Sequence, residues 1–84
     1  MQNNRIESKI RTFLAEHFPL TRGVRDDDDL LGKGGLDSLG ILEVVTFVER
    51  EFGLTVIDEE LVPENFRSIS SLETFVQRKL NGSA

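Results

Sequence analysis

Ser38 stands between Asp37 and Leu39, directly after the run Gly32-Lys33-Gly34-Gly35-Leu36 and at the head of a segment whose apolar residues recur with helical period. That order predicts a hydroxyl on the first turn of a helix that follows a glycine-bearing loop. Free backbone N–H groups and the positive end of the helix dipole stabilise an anion at such a place. A phosphodiester on Ser38 would therefore meet little electrostatic opposition beyond Asp37. The tripeptide alone favours a plain helix cap, because Asp-Ser-Leu is short and Asp and Ser are both common at helix starts.

The rest of the chain offers little competing chemistry. Cysteine is absent and His17 is the single histidine. Disulfides, thiolate metal sites and a cysteine nucleophile are thereby excluded, and any thiol has to be imported. The run Asp26–Asp29 has the look of a calcium loop, but counted from Asp27 it places Leu31 and Ser38 where an oxygen ligand and a bidentate Glu are required. Gly32-Lys33-Gly34-Gly35 lacks both the Walker spacing and a preceding strand, so it reads as loop flexibility. No metal site and no acid–base constellation is expected, and 84 residues leave little room for a substrate cavity. Asn81-Gly82-Ser83 matches a glycosylation sequon that has no meaning in a cytoplasmic chain.

Composition narrows the partners. With 38% hydrophobic and 30% charged residues the chain suits a folded globular domain. Ten basic against fifteen acidic residues give a formal charge of −5, which repels nucleic acid and favours proteins with basic patches. Apolar runs are short and the opening MQNNRIESKIR lacks a secretory core. The expectation is a cytoplasmic protein without membrane attachment.

The elements that must position Ser38 follow from periodicity. Ile6, Ile10, Phe13 and Leu14 predict an amphipathic helix over Asn3 to Phe18, ended by Pro19. Leu20 to Leu36, with its glycines and aspartates, predicts a long loop pinned by Leu30 and Leu31. A second helix spans Ser38 to Phe52, with Ile41, Val44, Val45, Val48 and Phe52 on one face, Asp37 as N-cap and Gly53 as stop. Asp58, as the cap of a turn through Leu61, and Pro63, opening another through Phe66, predict one broken, short helical element. Ser68 caps a last helix carrying Ile69, Leu72, Phe75, Val76 and Leu80, which Asn81 and Gly82 terminate. The fold class is all-α: a small four-helix bundle with three principal helices, one short helix and a long first loop, in one domain over 1–84 with its core at about 4–80.

Asp37-Ser38-Leu39, the helix end Glu51-Phe52-Gly53 and the Phe66-to-Val76 segment with Ser68-Ile69 and Leu72 together resemble the acyl and peptidyl carrier proteins, over nearly the whole chain. The resemblance implies a carrier fold in which Ser38 is esterified by 4'-phosphopantetheine taken from coenzyme A. A separate magnesium-dependent phosphopantetheinyl transferase would do this, with Asp37 and Leu39 as motif neighbours. The protein is then a substrate rather than an enzyme, has no catalytic residue of its own, and needs Ser38 only to be exposed. Implied partners are an acyl-activating ligase or acyltransferase that loads the thioester, and a ketosynthase or other acyl-processing enzymes that use it. A monomer is expected.

The resemblance also implies docking through the second helix. By helical spacing Leu39, Glu43 and Thr46 share a face away from the core stripe, with Leu42 and Phe47 at its margins. A solvated face accounts equally well for Thr46 and Phe47. Two departures, Gly40 where many fatty-acid carriers have an acidic residue and Arg50 in a usually acidic helix end, point toward a specialised pathway instead of primary fatty-acid synthesis. Gly40 could leave space for the arm or a partner. The alternative to a carrier is an unmodified acidic adaptor that binds a basic protein and uses Ser38 only as a cap.

Overall fold

The computed structural model describes residues 2–82. Ser83 of the sequon lies outside them. Among the described residues there are four α-helices: α1 (Gln2–His17), α2 (Ser38–Phe52), α3 (Pro63–Phe66) and α4 (Ile69–Leu80). Short 3-10 turns at Pro19–Thr21, Gly32–Gly34 and Asp58–Glu60 join them. Among the described residues there is no strand, only an isolated bridge between Leu31 and Leu36. None of the described helices is long and apolar enough to cross a membrane.

The core forms where the apolar stripes meet. Ile10 and Leu14 of α1, Val44 and Val48 of α2, Phe66 of α3 and Leu72 and Val76 of α4 are all buried. Each such aliphatic or aromatic side chain contributes about 1.5–3 kcal/mol by leaving water. Phe66 and Phe75 lie with ring centroids 5.9 Å apart, so α3, although short, is anchored on α4. Caps hold the helix ends: the Ser68 hydroxyl accepts the Ser71 N–H at 3.0 Å, and Gly53 closes α2 in the left-handed region at φ 68°.

The long loop between α1 and α2 is tied down along its length. Leu30 and Leu36 are buried, and Leu31 is half-buried. The Leu30 N–H donates to the Arg67 carbonyl at 2.6 Å, and the Ser70 N–H donates to the Asp26 carbonyl at 2.7 Å. The structure thereby corrects the reading of the glycine run as flexibility. A Cβ on Gly34 would run into the Asp29 carbonyl oxygen, and Gly35 sits at φ +93° against Leu20. These glycines permit close backbone approach and a left-handed turn.

Two further expectations change. Leu80 has helical spacing but is 47% exposed, because the last turn of α4 runs past the core. The turn at Asp58–Glu60 is preceded by Ile57, and the Glu60 carboxylate accepts the Ile57 N–H at 3.0 Å, so Glu60 and not Asp58 fixes its entry.

Candidate functional site

The head of α2 separates two roles that the sequence leaves mixed. Asp37 has extended backbone, and its Oδ1 accepts the Gly40 N–H at 2.9 Å while its carbonyl accepts the Ile41 N–H at 2.8 Å. Asp37 is therefore the cap, and Ser38 is the first helical residue, exposed to solvent. A hydroxyl relieved of capping and set at the N-terminus of a fifteen-residue helix is free to be esterified, with the helix dipole favouring the negative charge gained. The residues present thus fit a phosphodiester-linked arm.

The platform beneath is rigid. Leu36 is buried two residues before the serine, and its N–H donates to the Leu30 carbonyl at 2.9 Å. On the other side Gly40 is buried, with Phe18 and Leu36 packed onto its Cα. The space beside Gly40 is filled by the protein's own side chains, which corrects the expectation that it is left open for an arm or a partner.

The remaining predicted residues spread along α2. Leu39 and Leu42 are 72% and 54% exposed. Glu43 and Thr46 are exposed, and the Thr46 hydroxyl donates to the Leu42 carbonyl at 3.1 Å. Phe47 is half-buried, its ring stacked on Phe13 at 4.2 Å and meeting Phe52 edge-on at 6.0 Å. Sequence periodicity passes over Ile57, Leu61 and Val62, three exposed apolar residues in the segment after α2. That segment is tied to α2 by the Val56 N–H, which donates to Glu49 Oε2 at 2.8 Å. Apolar residues in a stretch without helical period were the available signal.

Among the described residues no group of three or more His, Cys, Asp or Glu is placed to hold a metal ion.

Comparison with known proteins extends this local picture to the whole chain. The family model for the phosphopantetheine attachment site matches residues 8–76. Aminoacyl carrier protein 2 of Bradyrhizobium diazoefficiens is 32% identical over 81 residues, covering 96% of this chain and 89% of that protein. The acyl carrier protein of Buchnera aphidicola is 33% identical over 79 residues, covering 93% and 96%. The crystal structure of an acyl carrier protein from Thermotoga maritima superposes with a TM-score of 0.77 at 25% identity, over 100% of this chain and 96% of that one. A helix head suited to a phosphodiester, in a fold shared with these carriers, has its explanation in descent: the chain belongs to the acyl carrier protein family, whose members bear phosphopantetheine, serve acyl-processing enzymes and are not themselves catalytic.

Proposed function

We propose that Ser38 is the residue that receives 4'-phosphopantetheine, and that the loaded protein shuttles thioester-bound acyl or aminoacyl groups in a specialised biosynthetic pathway. The observation that carries the assignment is the division of labour at the head of α2. Asp37 holds the cap, which leaves Ser38 exposed at the positive end of the helix. Ser38 presents its hydroxyl to a transferase, which must supply the base that takes the proton. The positive end of the α2 dipole would favour the phosphate charge so gained. When bound, the arm supplies the thiol that this cysteine-free chain lacks.

Support for a specialised role comes from the aminoacyl carrier among the relatives and from Gly40 and Arg50, which depart from the acidic pattern of many fatty-acid carriers. The same reading takes residues 1–84 as a single carrier domain with its core at about 4–80. Partner enzymes would dock on Leu39 and Leu42 with Glu43 as the charged contact, Thr46 beside it and the exposed edge of Phe47 at the margin.

The test is intact mass after incubation with a broad-specificity phosphopantetheinyl transferase, magnesium and coenzyme A. One adduct on the native chain and none on Ser38→Ala is the expected result. An adduct that persists in Ser38→Ala moves the arm to another residue, and no adduct with several transferases supports the unmodified adaptor instead.

A further inference from the structure

We infer that Gly40 is a positioning residue for Ser38: its lack of a side chain lets Phe18 and Leu36 seat against the first turn of α2 and fixes the orientation in which the serine meets a transferase. This rests on the reading of Ser38 as the attachment residue.

A Cβ built on Gly40 would lie 3.0 Å from Phe18 Cε1 and 3.0 Å from Leu36 Cδ1, closer than carbon atoms pack without displacement. It would also stand 3.4 Å from Asp37 Oδ1, the cap oxygen itself. Whether such a contact matters depends on which partner yields; the Phe18 ring is half-buried, Leu36 is buried, and the backbones that carry both are held. The Phe18 N–H donates to the Leu14 carbonyl at 2.7 Å, while its own carbonyl accepts both the Thr21 N–H at 2.8 Å and the Thr21 hydroxyl at 2.7 Å. Thr21 is buried, and the Phe18 ring meets Phe13 edge-on with centroids 6.1 Å apart. Leu36 is 2% exposed and bonded to Leu30.

The first turn of α2 is the other side of this contact. It is joined to Asp37 by the Gly40 N–H and Ile41 N–H bonds, and Ser38 lies between the residues that make them. Bulk at position 40 pushes this turn outward, strains the cap and swings the serine. Helix propensity acts in the opposite direction, since Ala and most residues favour a helix interior over Gly. Glycine at this place therefore gives up helix propensity for close packing.

The experiment measures arm transfer to purified Gly40→Ala and Gly40→Val chains by a broad-specificity transferase with coenzyme A and magnesium, at a temperature where circular dichroism shows each variant folded. Gly40→Val is expected to lower kcat by about ten- to a hundred-fold, the scale of an ångström-level misplacement, with KM for the carrier within about two-fold. Adding Phe18→Leu, which removes the ring tip that meets the new side chain, is expected to restore most of the rate. If Gly40→Val does not fold, Gly40→Ala carries the test, with a few-fold loss in kcat even where its melting temperature is unchanged or higher.

Native rates in the folded variants overturn the inference. So does a loss that Phe18→Leu leaves untouched, because that result assigns Gly40 a direct contact with the transferase. Failure of the native chain to accept the arm refutes the Ser38 reading itself.

Discussion

Asp37 and Ser38 are adjacent polar residues with separable contributions, and the difference can be measured without any partner. The Asp37 carboxylate accepts the Gly40 N–H and lies next to the N-terminal charge of α2. Asp37→Ala is expected to cost about 1 kcal/mol in urea unfolding. Ser38→Ala is expected to stay within about 0.5 kcal/mol of the native chain, because the side chain it shortens is exposed. Loss of stability in Ser38→Ala equal to that in Asp37→Ala would contradict this division. The sequence made the cap legible, since an Asp before an apolar-periodic run has few other uses. The setting of Gly40 was not legible, because Phe18 and Leu36 reach it through tertiary packing, which no local pattern records.

Helices were easier to read than the loop between them. The bounds of α2 follow from Asp37 and Gly53, both visible in sequence, whereas the turns at Pro19–Thr21 and Gly32–Gly34 are set by contacts such as Gly35 against Leu20. The loop is clamped to α1 by Arg11, whose Nε donates to Glu7 Oε2 at 2.9 Å and Nη1 to the Val24 carbonyl at 2.8 Å, while Nη2 donates to Asp26. Hydrogen bonding from Arg11 holds the Asp26 carboxyl below its ordinary pKa. Burial pushes Glu73 up, with the charges of Glu7 and Asp26 adding to it. The two act in opposite senses. Stability from Asp26 is present above its unfolded pKa and lost as pH falls through the depressed folded value. The contribution of Glu73 is present below its unfolded pKa and lost as pH rises through the raised one. In urea midpoints measured from neutral pH to below about pH 4, Asp26→Asn is expected to lose less on acidification than the native chain. In the same series Glu73→Gln is expected to be relatively more stable at neutral pH. An unchanged acid limb in Asp26→Asn would show that the Arg11 clamp is cosmetic.

Taken whole, the molecule is held by a small core that spans every helix. Leu72 is fully buried in it, and Leu72→Ala is expected to cost about 2–5 kcal/mol. At roughly 0.05–0.15 kcal/mol per residue that is a large share of the total for a chain of this size. A thermal melt should show the midpoint drop sharply with a single transition retained; a shift of only a degree or two would mean that α4 is dispensable to the core. The two backbone bonds that fasten the first loop to the start of α4, Leu30 to Arg67 and Ser70 to Asp26, have a consequence in time as well as in space. The ground on which Ser38 stands is built partly from residues that leave the ribosome long after Ser38 does. A nascent chain still lacking them has the serine but not its setting, so the proposed attachment is expected to follow the emergence of α4 and not of Ser38 alone.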